Sequence, residues 1–189
     1  MVLSPRTAAN LALEAVYTKV VISGVIADIK MVQVYKNNGN ESIDVDYYFP
    51  SSPTAVVYAM QFVKGGNLVI AQIQTTLMAE LTFDEAVSQG LTGALLGSSE
   101  GSILTLKIAN IPPHTVLRVE IFYTEQLIPD EGTYQFYYPS IIPPQYLDEM
   151  EGVDQDPSQF NCLFIMEIIL QLPFPLSHIS CPTHSINIS

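Results

Sequence analysis

Alternation of apolar and polar residues at a period of two recurs through this chain, and it constrains the fold more than any other feature. Ile43, Val45, Tyr47 and Phe49 alternate with Asp44 and Asp46, and Leu104, Leu106 and Ile108 with Thr105 and Lys107. Leu117, Val119, Ile121 and Tyr123 alternate with Arg118 and Glu120, while Val56, Tyr58, Met60 and Phe62 recur at the same spacing. Successive side chains of a strand point to opposite faces, so each run predicts a strand with one buried and one wet face. Half-buried strands of this kind belong to antiparallel sheets.

Turn chemistry separates the runs. Asn37-Asn38-Gly39-Asn40 divides a strand near Val25–Tyr35 from the one at Ile43, and Lys64-Gly65-Gly66-Asn67 predicts a hairpin between Val56–Val63 and Leu68–Thr75. Ile111-Pro112-Pro113-His114 interrupts the chain before the strand at Val116, because proline cannot donate to a central ladder. One segment has a helical period instead. Ala79, Phe83, Ala86 and Gly90 form a single stripe, Thr82 and Glu85 have capping-box spacing, and Gly90 suits a left-handed C-terminal cap. The fold class that follows is mainly β: an antiparallel β-sandwich with one short amphipathic helix, about residues 79–89, packed at one end. Residues 1–16 read as an N-terminal segment and residues 17–189 as one domain. From Cys162 to Leu172 the chain is nearly continuously apolar, which predicts a buried strand, and a last short strand is expected near Ser177–Ile188.

Charge is distributed unevenly. The 189 residues hold 7 Lys and Arg against 19 Asp and Glu, a formal net charge of -12. All seven bases lie at or before Arg118, and the residues beyond it carry acids alone. A binder of nucleic acid needs clustered Lys and Arg, so that partner is excluded. Hydrophobic residues make up 48% of the chain, which rules out intrinsic disorder. Arg6, Asn10 and Glu14 interrupt the N-terminus, so it lacks the apolar core of a secretory signal. No run reaches the ~18 apolar residues of a membrane span. The expectation is a cytoplasmic protein without a membrane partner.

Chemistry-bearing motifs are sparse. His114, His178 and His184 lie in no G-x-S-x-G elbow and beside no protease cysteine signature, and neither phosphate-binding glycine pattern occurs. Cys162, His178, Cys181 and His184 have no structural-zinc spacing. The two cysteines are read as small packed apolar groups. No cofactor, metal or catalytic residue is assigned, and the chain is read as a non-enzyme. One feature invites a binding role: the acidic loop at residues 146–157, with Asp148, Glu149, Glu151, Asp154 and Asp156. It does not fit an EF-hand and reads first as a solvated loop, one that would favour a basic protein partner.

Taken in register, these pieces resemble the VIT domain, the vault protein and inter-alpha-trypsin inhibitor heavy chain domain. Ile43 to Pro50 is similar to the family's strand ending in Tyr-x-Phe-Pro, and Ala55 to Met60 follows it. Ala79, Phe83, Ala86 and Gly90 match an Ala-x3-aromatic-x2-Ala-x3-Gly helix, with Ala94-Leu95-Leu96 after it. Ala109 to Pro113 resembles a Gly-Asn-Ile-Pro-Pro turn, and Tyr123 to Leu127 a Tyr-x-x-x-Leu strand. Pro144-Gln145-Tyr146 stands where the family has Pro-Arg-Tyr, so any ion pair that arginine makes in relatives is absent here. The resemblance implies a non-enzymatic protein-protein interaction or scaffold module, supporting a von Willebrand factor A domain in a longer protein. The Asp-x-Ser-x-Ser motif of such a domain does not occur in these residues, which leaves a stand-alone form open. Expected partners are therefore other proteins: a von Willebrand factor A domain in cis, or further copies of the chain. The alternative reading is a structural subunit of a homopolymeric filament or shell, for which ten tyrosines and few charges are suited.

Overall fold

The computed structural model describes residues 2–3, 11–99, 103–138 and 162–189. They form ten strands and one helix: β1 (Val2–Leu3), β2 (Leu11–Ser23), β3 (Ile26–Asn37), β4 (Ile43–Pro50), β5 (Val56–Lys64), β6 (Asn67–Ile70), α1 (Thr76–Ser88), β7 (Gly93–Ser99), β8 (Ile103–Ile111), β9 (Val116–Gln126) and β10 (Leu163–Gln171). A four-stranded sheet has the order β1-β4-β8-β7 and a six-stranded sheet the order β10-β2-β3-β9-β5-β6. Among the described residues no helix is long and apolar enough to cross a membrane.

The expected sandwich is present. Both sheets turn one face inward onto a single core, in which Val16, Ile29, Tyr35, Leu117 and Ile121 of the larger sheet meet Tyr47, Leu106 and Ile108 of the smaller. The rings of Tyr35 and Tyr47 cross the gap edge to face, with centroids 5.8 Å apart, a favoured aromatic geometry. Parity explains which residues these are. Leu104, Leu106 and Ile108 of β8 and Leu117, Val119, Ile121 and Tyr123 of β9 are all buried, as period two requires.

Several expectations change. In β5 the register slips between Val57 and Ala59, where Tyr58 is the extra residue of a bulge. Met60 and Phe62 therefore stay in the core, while Val56 and Tyr58 turn outward. β2 begins at Leu11, and its first residues Leu11, Leu13, Ala15 and Val16 are already buried. The apolar run after Cys162 is a strand, but not a buried one. β10 pairs in parallel with β2 at the sheet edge, the one parallel pairing among the described strands. Residues 172–189 contain no strand, since Pro173, Pro175 and Pro182 each remove a backbone donor.

The helix starts three residues earlier than predicted. Thr82 is not its N-cap but lies in its middle and donates to the Met78 carbonyl at 2.8 Å. The C-terminal end agrees with expectation. Gly90 has φ +70°, its N–H donates to Val87 O, and the Leu91 N–H donates to Ala86 O. Only glycine adopts that backbone cheaply.

Candidate interaction surface

The five acids singled out in sequence, Asp148, Glu149, Glu151, Asp154 and Asp156, lie outside the described residues. Of the cysteines, Cys162 packs against the core, whereas Cys181 is half-buried 3.5 Å from the Thr183 hydroxyl; both are free thiols. Among the described residues no group of three His, Cys, Asp or Glu is placed to hold a metal ion.

Two asparagines that the sequence reading took only as turn residues organise the loops instead. Asn37 is fully buried at the end of β3. Its amide nitrogen lies 2.8 Å from Glu41 O and 3.0 Å from both Ile111 O and Pro112 O, and its side-chain oxygen accepts from the Gly39 N–H at 2.9 Å. Asn110 takes a left-handed backbone, φ +54°. From there its amide donates to Val87 O in the last turn of α1 and to Leu91 O just beyond the helix, while its own N–H donates to Asp44 at 2.7 Å. The prolines after it are thus held from both sides, and the Asn-Ile-Pro-Pro motif reads as a clamp.

The outer face of the larger sheet is electrostatically closed. Glu120, on the face opposite Val119 and Ile121, is almost fully covered. It receives Lys30 at 2.9 Å, Arg118 at 2.8 Å and the Gln61 amide at 2.8 Å. Burial pushes its carboxyl up, but the hydrogen bonds and charges of these neighbours outweigh burial and hold it below the usual range. Lys30 also lies over the Phe122 ring, 5.2 Å from its centroid. Lys19 pairs with Glu167 at 3.2 Å and Lys36 with Glu14 at 3.8 Å. A hollow of 460 Å³ at one end is lined by Val63, Gly65, Gly66, His114, Thr115, Val116 and Arg118. Its two basic side chains are engaged already, Arg118 with Glu120 and His114 with Asn40 at 3.2 Å.

A different surface is open. Between residues 68 and 91 eight large apolar side chains are exposed: Leu68, Val69 and Ile70 of β6, Ile73, then Leu77, Met78 and Leu81 of α1, and Leu91. Ile73 is 82% exposed. The reason lies in how α1 sits. Its inward stripe is the predicted one, with Phe83 and Ala86 so close to Gly93 of β7 that a Cβ there would meet the Phe83 ring at 3.2 Å. At about 100° per residue, Leu77, Met78 and Leu81 project from the other side. The predicted stripe covers only the inward side; the pair Leu77 and Leu81, four residues apart, is the sequence signal for a second. The charges within this stretch are Glu80, Asp84 and Glu85, all acidic.

Comparison with known proteins bears on this arrangement. The family described as "Vault protein inter-alpha-trypsin domain" matches residues 13–123. Over 174 residues the chain is 24% identical to von Willebrand factor A domain-containing protein 5A of Homo sapiens, covering 89% of this chain and 21% of that protein. It is 22% identical over 193 residues to protein mono-ADP-ribosyltransferase PARP4 of Mus musculus, covering 97% of this chain and 10% of that protein. The chain thus spans about a tenth of the mouse protein and about a fifth of the human one. Among solved structures, an M1 zinc metallopeptidase from Deinococcus radiodurans matches with a TM-score of 0.34 and 8% identity, over 69% of this chain and 23% of that one; a likeness at that level carries no argument. With more than half of its length matched by the family, and with the helix, the Asn-Ile-Pro-Pro clamp and the β-sandwich in place, the chain belongs to the VIT domain family.

Proposed function

We propose that this chain is a non-enzymatic protein-protein interaction module that supports a von Willebrand factor A domain in the same polypeptide, docking it on the outer side of α1 and on β6. The observation that carries the reading is a helix apolar on both sides. Phe83 and Ala86 are used on β7, while Leu77, Met78 and Leu81 face solvent. Helices that are apolar all round are normally enclosed by protein, and exposed apolar patches rimmed by polar groups mark interaction sites. The acidic rim of Glu80, Asp84 and Glu85 fits a domain surface bordered by Lys or Arg. The two free thiols, Cys162 and Cys181, suit a reducing compartment, and we place the protein in the cytoplasm.

The test uses the von Willebrand factor A domain of the human relative as a separate titrant. It should bind the 189-residue chain, and the double variant Leu77→Ser/Leu81→Ser should lose at least about tenfold in affinity, since a buried leucine is worth about 1.5–3 kcal/mol. Its thermal midpoint should stay unchanged, because neither side chain touches the core. Equal affinity of the double variant would remove this surface from the reading. Sedimentation to large species at micromolar concentration, without any added domain, would favour the filament or shell subunit instead.

A further inference from the structure

β10 is a second open feature, outside the 13–123 region the family covers and independent of the α1 surface. It is the last strand of the larger sheet. One edge pairs with β2 over all nine residues, and among the described residues no strand pairs with the other. At about 3.3 Å per residue the open edge is about 30 Å long. Such a row of N–H and C=O groups is a template for another strand, and proteins usually blunt it with Lys, Pro, a bulge or short length. Here none of these devices is present. The strand reads Leu-Phe-Ile-Met-Glu-Ile-Ile-Leu-Gln, and its pairing with β2 is without a register shift. Leu163 and Ile165 on one face and Phe164, Ile168 and Leu170 on the other are each between 38% and 53% exposed. The other sheet edges differ: β6 has four residues and β1 two, and β7 lies under α1.

Charge decides what kind of strand fits. Glu167 is the only charge of β10, and it sits at the centre. Its bridge to Lys19 joins two side chains that are each more than half exposed, a surface pair worth little. No Lys or Arg follows Arg118 anywhere in the chain. A second copy would bring -12 against -12, and in the register centred on β10 it would set Glu167 opposite Glu167, where like charges repel. A strand with Lys or Arg at that position gains a cross-strand ion pair instead.

We propose that the free edge of β10 binds an extended segment of a separate partner protein by strand addition, the segment alternating apolar side chains and placing a basic residue opposite Glu167. Main-chain hydrogen bonds supply the affinity, and the alternating side chains supply the register.

The experiment uses two synthetic peptides, acetyl-TVTVKVTVT-amide and the same peptide with Glu in place of Lys, on the 189-residue chain at low salt. The Lys peptide should slow hydrogen exchange at the β10 amides that point away from β2 and bind about 3- to 10-fold tighter than the Glu peptide, the range that opposed against like cross-strand charges span. Glu167→Lys should invert the preference, and Glu167→Gln should abolish it; both are surface changes whose folding is checked by thermal midpoint. Equal binding of the two peptides, or no protection of β10 by either, overturns the proposal. So does protection, in the free monomer, of the β10 amides that point away from β2, which would mean that the chain covers its own edge, or protection of them that arises only on dimerisation, which would mean a second copy. None of these results depends on the α1 surface, so the two readings stand or fall separately.

Discussion

The side-chain amide of Asn37 lies 3.0 Å from the carbonyl oxygen of Ile111, seventy-four residues away in the chain. That contact ties the end of β3 to the end of β8, strands of different sheets, and so fixes how the sandwich closes at one end. Asn37→Ala removes the donor from three carbonyls and the acceptor from Gly39. Buried groups left without partners cost about 1–3 kcal/mol. The thermal midpoint should fall by about 2–12 °C at the 2–4 °C per kcal/mol of a chain this size. Asn37→Asp should fall further, since a carboxylate would face the same carbonyls. Differential scanning calorimetry decides; an unchanged midpoint contradicts the clamp.

Asn110 separates two physical effects at one position. Glycine there accepts φ +54° without strain but loses the amide bonds to Val87 and Leu91, whereas alanine loses the bonds and is also strained. The expected order of stability is wild type, then Asn110→Gly, then Asn110→Ala. The alanine step should add about 1 kcal/mol to the glycine step. Chemical denaturation of the three proteins gives the order directly, and a glycine variant as stable as wild type would show that the amide bonds contribute nothing.

Glu120 makes stability depend on acid. Its carboxyl is held below the ordinary 4.5 in the folded chain, so its contribution is fully present above that value and is lost as pH falls through the lower, folded value. Glu120→Gln keeps the shape but weakens hydrogen bonds to charged donors, a loss of about 1–3 kcal/mol at pH 7. The gap between variant and wild type should narrow steadily as the pH is taken below 4.5. A gap that stays constant from pH 7 to pH 3 would show that the charge of Glu120 is irrelevant.

Glu125 has the opposite sign. Burial on the inner side of β9 raises its carboxyl above 4.5, only partly offset by a hydrogen bond from Ser52. Its contribution is therefore fully present below the unfolded value and lost as pH rises through the folded one. Glu125→Gln mimics the neutral form, so it should raise the midpoint at pH 7 by about 1–3 °C and make no difference near pH 4. A drop at pH 7 would mean that the charged form is what the fold uses.

Much of the architecture was legible because strand parity is a local property. The inward residues of β8 and β9, the hairpin at Gly65 and Gly66, the proline turn and the inward stripe of α1 all follow from neighbours a few positions apart. So did membership of the VIT family, whose motif positions sit in register along the chain. The bulge at Tyr58 was not legible, because Val56, Tyr58, Met60 and Phe62 keep perfect spacing in sequence; the extra residue exists only relative to β9. Nor could the apolar run of β10 declare whether it was enclosed. Its composition alone predicts a buried strand, and its place at the edge beside β2 leaves both faces partly open. The same holds for Leu77 and Leu81, which differ from Phe83 only in having no sheet beneath them.

The sequence by itself thus determined the two-layer β class, the turns between strands and the family. Only the tertiary structure decided which apolar residues are enclosed and which remain for a partner. Periodicity records the faces a segment can offer. Burial depends on what another segment, far along the chain, places against each face.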